Sequence, residues 1–382
     1  MRAWIFALGL VGCGFSTAGQ TSQDAPIAPI GEDAAVDVIS PDAPPDVLLV
    51  DPVCLGTFVQ VCVQAPQIAL TLNTQRIDTT SSPMCAQALT TPATDACVIV
   101  GAKLTIPEDS TITVVGSRPL VLLSTRELTV AGTLDVSSDA GRIGPAADTG
   151  PCATDANNAT PESGGGFGGS FGGGGNSGGN SPAGGRGGTA ASLVNAVGLT
   201  GGCAGGGGAN NGFGVAAGPG GHSGGAVLLL AEQTITVDGT INASGSGGRA
   251  GGQGFLAGGG GGGGGSGGMI VLEASSVNVA GACFANGGGG GGGGASDRGG
   301  KSGGESERPD EAAAGGGSSS TGGAGGKGAF GTTGALPGNN GGSAPFNAGG
   351  AGAGGGGVGI IKVIAPQQDG TDDLDHVAPP PR

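Results

Sequence analysis

The sequence predicts an all-β fold: β-solenoid or β-helix-like rungs interrupted by long glycine-rich insertions, with a β-sandwich carrying flexible glycine loops as the alternative. Three observations carry this reading. The chain has 93 glycines and 23 prolines in 382 residues, and these two residues are the poorest helix formers. Three segments with strand-like alternation of apolar residues align without gaps on Gly132, Gly239 and Gly281. The glycine is clumped between those segments and does not recur at every third residue, which excludes a collagen. With 11 % charged and 3 % aromatic residues and no tyrosine, the composition also argues against an ordinary helical or α/β enzyme. The dense Val/Ile/Leu blocks argue against full disorder.

The first element is an export signal, residues 1–12. Arg2 supplies the positive start, and Ala3 to Leu10 is an apolar run too short to span a bilayer. The run ends in Leu10-Val11-Gly12-Cys13, which resembles the bacterial lipobox. That resemblance implies cleavage before Cys13 and a diacylglycerol thioether on its sulfur, with an N-acyl chain such as palmitate. Two or three acyl chains anchor stably where one does not. Gly14 stands where retained inner-membrane lipoproteins often carry Asp, so the resemblance implies the outer membrane.

Residues 13–53 then form a tether. Pro26, Pro29, Pro41, Pro44, Pro45 and Pro52 alternate with Ala and acids, and no Lys or Arg follows Arg2 until Arg76. Fixed φ at proline and repulsion between like charges predict an extended chain reaching roughly 120 Å at about 3.1 Å per residue. Net charge is −15, and losing Arg2 with the signal takes it to −16. An acidic chain does not seek nucleic acid.

Residues 54–100 read as a cysteine-containing cap. Apart from Cys13 there are seven cysteines: Cys54, Cys62, Cys85, Cys97, Cys152, Cys203 and Cys283. An exported chain keeps disulfides, and three bridges with Cys283 left over are expected. Cys152 and Cys203 bracket one glycine-rich excursion and would close it at its ends. Pairing among the first four stays open. No Cys-x-x-Cys occurs and only His222 and His376 are present, so neither a metal nor a cofactor is expected.

Residues 101–366 form the repeat domain. The aligned segments are LVLLSTRELTVAGTLDVSS, VLLLAEQTITVDGTINASG and IVLEASSVNVAGACFANG. Their columns are Val121/Leu228/Ile270, Leu123/Leu230/Leu272, Leu128/Ile235/Val277, Val130/Val237/Val279, Leu134/Ile241/Cys283 and Val136/Ala243/Ala285. Spacing of two within each pair predicts one strand face pointing inward, in three short strands per repeat. Cys283 occupies a core column and reads as a small buried hydrophobe. A fainter partner precedes them, Leu104, Ile106, Ile112 and Val114 around a turn at Pro107–Ser110, and a half-repeat, Ile360 to Ile364, follows. Stacking such units into a solenoid buries each inward face against its neighbours. Residues 367–382, with Asp369, Asp372, Asp373 and Asp375, read as a solvated acidic tail.

The glycine tracts cover about 142–223, 246–267 and 287–357, and two hold eight consecutive glycines, Gly258 to Gly265 and Gly287 to Gly294. Two readings stand: flexible loops, or extended threefold helices related to polyproline II, hydrogen-bonded chain to chain. Leaving and re-entering just ahead of Ala226 and Met269, the tracts would emerge side by side.

The block GSRPLVLLSTRELTVAGTLDVSS and its later counterparts resemble Gly-rich lipoproteins of unassigned function predicted in myxobacteria and their relatives. The similarity covers roughly residues 54–366 and implies architecture without activity. In composition the tracts are also similar to Gly-rich surface proteins of mycobacteria.

No catalytic constellation emerges. Ala295 to Ser302 satisfies a loose phosphate-loop pattern, but glycines precede it and Gly-Gly-Glu-Ser follows, where the real motif needs a strand and a helix. The outward columns Asp135/Asn242/Phe284 and Thr129/Thr236/Asn278 hold one carboxylate and no Lys or Arg, so Asp135 stands alone. His222 has no acid near it in sequence. The expected role is structural, adhesive or matrix-forming, in a lipid-anchored outer-membrane protein facing outward. Its partners would be the membrane, further copies of itself, surface polysaccharide or neighbouring cells. A carbohydrate-active β-helix enzyme and a periplasm-facing envelope scaffold are the alternatives.

Overall fold

The computed structural model describes residues 52–85, 95–193, 195–345, 347–371 and 376–381. The expected signal, Cys13 and nearly all of the tether lie outside these residues. No helix occurs among the described residues.

Strands β1 (Pro52–Leu55) and β2 (Val61–Gln64) form an antiparallel hairpin. The chain then climbs in rungs of three short strands. An opening partial rung holds β3 (Leu70–Thr71) and β4 (Gln75–Asp78). The next holds β5 (Cys97–Gly101), β6 (Leu104–Ile106) and β7 (Thr111–Val115). It is followed by β8 (Leu120–Ser124), β9 (Glu127–Val130) and β10 (Thr133–Asp135). After the first tract come β11 (Ala226–Ala231), β12 (Thr234–Val237) and β13 (Thr240–Asn242). After the second come β14 (Met269–Glu273), β15 (Ser276–Val279) and β16 (Ala282–Phe284). The third tract contains a small hairpin, β17 (Ser343–Ala344) and β18 (Asn347–Ala348). A last rung holds β19 (Ile360–Ile364), β20 (Gln367–Asp369) and β21 (Val377–Ala378).

First strands of successive rungs pair into one sheet, ordered β19-β14-β11-β8-β5. Second strands form β20-β15-β12-β9-β6-β3, and third strands β21-β16-β13-β10-β7-β4. Every pairing within these three walls is parallel, so the architecture is solenoid-like and not a sandwich. Side chains pointing inward from all three walls make one apolar column, including Leu122, Leu128, Leu134, Leu229, Ile235, Ile241, Leu272, Val277 and Cys283.

The second and third walls keep the aligned columns: Leu128, Ile235 and Val277 are paired neighbours, as are Leu134, Ile241 and Cys283. Gly132, Gly239 and Gly281 share the corner between these walls for a steric reason. A Cβ on Gly239 would lie 2.0 Å from the Gly132 carbonyl oxygen, and one on Gly281 2.0 Å from that of Gly239. Each rung crosses the corner directly on the one before, leaving no room for a side chain.

The first wall departs from the expected alignment. Leu228 pairs with Val121 and with Val271, not Ile270, and Leu230 pairs with Leu123 and with Glu273, not Leu272. Leu230 stands four residues before Thr234 of β12, whereas its partner Glu273 stands only three before Ser276, the partner of Thr234, so the gapless alignment slips by one residue here. The inward residues are Leu120, Leu122, Val227, Leu229, Ile270 and Leu272. Val121, Leu123, Leu228, Leu230 and Val271 face outward into a second apolar layer with Val59, Val61, Val63, Phe171, Leu199 and Cys203. A strand buried on both faces reads as a continuous apolar run, and period 2 then cannot say which side is inside.

Two expected boundaries also move. Parallel pairing begins at Leu70, inside the region read as a cap. The C-terminal segment is not a free tail, because β20 and β21 complete the last rung and Val377 is buried. Asp372, Asp373 and Asp375 lie outside the described residues.

All three tracts leave the third wall and return to the first at one corner, where glycines again stack: a Cβ on Gly268 would lie 1.9 Å from the Gly225 carbonyl oxygen, and one on Gly359 2.1 Å from that of Gly268. Beyond the corner the tracts pack as extended segments, neither helix nor sheet, that bond to one another in steps of three. Along segment 258–268, Gly259, Gly262, Gly265 and Gly268 donate to Gly252, Arg249, Ser246 and Ala243. Gly260, Gly263 and Ser266 donate to Ala209, Gly206 and Cys203, and Gly261, Gly264 and Gly267 to Ala351, Gly354 and Gly357. The same segment accepts from 288–294, 218–224 and 166–169, so it has six neighbours. Segments 287–294 and 350–357 are likewise enclosed by six. Buried backbone groups are thereby paired without a single ladder.

Candidate functional site

A polar groove with charged walls lies on the outer face of the third wall. Strand β10 places Thr133 and Asp135 outward, one residue either side of inward Leu134. Strand β13 stacks Thr240 and Asn242 beside them at one rung's spacing, about 4.8 Å. In the next rung Phe284 continues the Asp135/Asn242 column and is buried. One side wall is the loop after β10, carrying Ser137, Ser138, Asp139 and Arg142. The opposite wall comes from the third tract, Glu305 to Glu307, and the enclosed volume is about 400 Å³.

Arg142 organises the groove. Its Nη1 pairs with Asp135 Oδ2 at 2.5 Å and its Nε with Asp139 Oδ2 at 3.0 Å, while Nη2 donates to Ser137 Oγ at 3.0 Å. Ser137 Oγ in turn donates to Asp135 Oδ1 at 2.6 Å. Across the groove, partial burial pushes the Glu305 carboxyl above its ordinary range, helped by the Asp139 charge and opposed by the Ala140 amide, Arg142 and Arg249. The Glu305 wall is fixed from below by buried Asn286, whose Nδ2 donates to Ser306 Oγ and to the Arg308 carbonyl, both at 2.9 Å.

The sequence reading of Asp135 as a lone acid without a basic partner is therefore corrected. Its partner is seven residues away, in the run Asp135-Val-Ser-Ser-Asp139-Ala-Gly-Arg142, a local signal that could have been read. Glu305 is 170 positions on in sequence, and nothing in a glycine tract announces it. The resulting set is an ion-paired carboxylate facing a carboxyl held toward its neutral form. Such a pair of unlike carboxyl groups suits hydrogen bonding to hydroxyl-rich ligands or acid–base work.

His222 also gains an acid. Its Nδ1 lies 2.6 Å from Asp148 Oδ2, and the carboxylate is held by the Ser223 amide at 2.8 Å. Asp148 adopts φ 62°, a conformation L-residues rarely take, pinned by its own amide donating to Ser223 Oγ at 2.8 Å. Among the described residues no hydroxyl or thiol hydrogen-bonds the His222 ring, so the pair lacks a nucleophile. The phosphate-loop-like run 295–302 is a turn, closed by the Ala295 amide donating to the Arg298 carbonyl at 2.9 Å, with no helix after it.

The disulfides are Cys54–Cys62, across the β1–β2 hairpin, Cys85–Cys97, and Cys152–Cys203, which closes the first tract. Cys283 is a buried free thiol whose pKa burial pushes up to about 12, so it is neither nucleophile nor ligand. Among the described residues no group of three or more His, Cys, Asp or Glu side chains is placed to hold a metal ion. No helix among the described residues is long and apolar enough to cross a membrane.

Glu273 carries no signal of a role in the sequence. It lies in β14 in an otherwise apolar run, is buried, and accepts from the Thr57 amide at 2.5 Å, Thr57 Oγ1 at 2.7 Å and the Phe58 amide at 3.2 Å. It fastens the β1–β2 hairpin onto the first wall, where Lys362 also lies over the Phe58 ring at 5.4 Å.

Comparison with protein-family models, with curated proteins and with solved structures finds no match to this chain.

Proposed function

We propose that this chain is a lipid-anchored protein of the bacterial outer membrane with a structural, adhesive or matrix role. On this reading the glycine bundle is a polyglycine II array, a rigid body held off the membrane by the Pro/Asp-rich tether. The observation that carries it is the set of three glycine segments each bonded to six neighbours. Many backbone groups are committed to a projecting body that contributes nothing to the groove except the Glu305 wall. The bundle ends in turns that expose Phe213 (69 %) and Phe255 (88 %). Those two turns are tied together by buried Asn211, which accepts from the Phe213 and Val215 amides and donates to the Ala257 carbonyl. A stiff stalk with ordered apolar turns suits contact with surfaces.

Protease shaving of intact cells tests the orientation, with a periplasmic lipoprotein as control. Release of the region after Cys54 from whole cells is the expected result, and its protection until the membrane is broken would replace display with a periplasm-facing scaffold. Cys13→Ser should abolish labelling by palmitate and detach the protein from the membrane; an unaltered membrane fraction would remove the lipid anchor.

The groove supports a second reading, a carbohydrate-active site using Asp135 and Glu305. Glycan cleavage lost on Asp135→Ala and on Glu305→Gln would establish it. No cleavage by the native chain across a broad polysaccharide panel would end it.

A further inference from the structure

The glycine bundle contains a straight row of four segments: 203–209, 258–268, 287–294 and 313–317. In the ring of six around 258–268, segment 203–209 stands opposite 287–294. In the ring around 287–294, segment 313–317 stands opposite 258–268. Donation along this row runs one way. Gly316 donates to Gly290; Gly288, Gly291 and Gly294 donate to Gly265, Gly262 and Gly259; Gly260, Gly263 and Ser266 donate to Ala209, Gly206 and Cys203. Within each inner segment, the residue that donates onward follows directly after the one that accepts, as Gly260 follows Gly259 and Gly291 follows Gly290.

The same rule names the groups at the two ends. Segment 203–209 accepts on Cys203, Gly206 and Ala209, so its onward donors are the amides of Ala204, Gly207 and Asn210. These three residues are exposed, and none of the three amides has a hydrogen-bond partner among the described residues. Segment 313–317 donates from Gly316, so its receiving groups are the carbonyls of Gly315 and Ala312, which are likewise unpartnered. One end of the row thus offers donors and the other acceptors, both repeating every three residues. Glycine is also kept where nothing within the chain requires it. A Cβ on Gly207 would meet nothing closer than the Gly218 carbonyl oxygen at 3.8 Å, and one on Gly317 only the flexible Lys301 side chain at 3.4 Å.

We infer that the partner of this bundle is a second copy of the same chain, docked so that the 204/207/210 edge of one copy donates to the 312/315 edge of the next. The inference rests on reading the bundle as a polyglycine II array. An unfinished row of backbone groups is a template for another chain, as at a sheet edge, and the partner segment must itself lack side chains on the contact face. Since the two edges differ, the contact is head-to-tail and propagates. Anchoring all copies in one membrane raises their effective concentration and favours even a weak contact of this kind.

The test uses the full chain carrying Cys13→Ser, which removes lipid-driven association. Sedimentation velocity should show species that grow with concentration. Gly207→Val and Gly317→Val should each be monomeric alone, with melting temperatures unchanged, because a Cβ at either position makes no contact closer than ordinary van der Waals distance. Mixed together they should form a dimer and nothing larger, one chain supplying the intact donor edge and the other the intact acceptor edge. A parent chain that stays monomeric at every concentration overturns the proposal, as does association that survives Gly207→Val. Failure of the mixture to dimerise overturns the head-to-tail arrangement. A large fall in melting temperature for Gly207→Val would instead overturn the placement of the bundle on which the inference rests.

Discussion

The amide of Gly291 donates to the carbonyl of Gly262 at 2.8 Å, and this bond joins two segments that are each enclosed by six others. One residue before Gly262, a Cβ on Gly261 would stand 2.1 Å from the Gly291 carbonyl oxygen. Backbone meets backbone there, so a methyl group can be accommodated only by separating the segments. Gly261→Ala is therefore expected to destabilise the protein by about 1–3 kcal/mol, the ordinary cost of overpacking. Gly207→Ala on the open edge is expected to be neutral or to stabilise by about 0.4–1 kcal/mol through the unfolded chain. Chemical denaturation of the two variants beside the parent chain decides it; equal stabilities would mean that the tracts are not packed.

The contrast between these two glycines also marks what the sequence could reveal. Corner glycines 132, 239 and 281 were visible because they recur at one place in an alternating pattern, and the second and third walls followed from them. The first wall was not readable in register, since Val121 and Leu122 are equally apolar and both faces are covered. In the tracts, period-three pairing is written in runs of identical residues, so Gly261 and Gly207 look alike although only one is enclosed. The Asp135–Arg142 pair was close enough in sequence to be legible. Glu305 and the Asp148 partner of His222 were not, because tertiary folding alone brings them in.

Glu273 is a single buried carboxylate holding the hairpin made by β1 and β2. Glu273→Ala leaves the Thr57 and Phe58 amides without their acceptor while the first wall stays covered by Val59, Val61 and Val63. A loss of about 1.5–3 kcal/mol is expected, the range for hydrogen bonds to a charged group. Its signature is local: amide hydrogen exchange should accelerate in residues 52–64 and stay unchanged in β8 and β11. Uniform acceleration through the walls would show that Glu273 supports the whole stack.

The disulfides should differ in weight according to the chain they close. Cys152–Cys203 spans a sequence separation of 51 and Cys85–Cys97 one of 12. Loop-closure entropy assigns these about 4 and about 3 kcal/mol. Replacing each pair with serine and comparing unfolding midpoints should rank the first pair above the second. The reverse order would mean that the first tract is already held in the unfolded chain or by its bundle contacts.

Glu305 makes the groove sensitive to pH in a direction that can be worked out. Partial burial, and then Asp139, raise its carboxyl above the ordinary value. Between the ordinary and the raised value the folded chain binds more protons than the unfolded one, so stability falls as pH rises through that window. Glu305's contribution is present in full below the ordinary carboxylate range and lost once pH passes the raised value. Glu305→Gln removes this dependence. Plotted against pH from about 4 to 7, the stability of the variant relative to the parent should rise and then level off. The variant should also keep the Arg142 pairs with Asp135 and Asp139, which do not involve Glu305. A constant difference across that range would place Glu305 in solvent, away from Asp139, and would leave the groove with one wall.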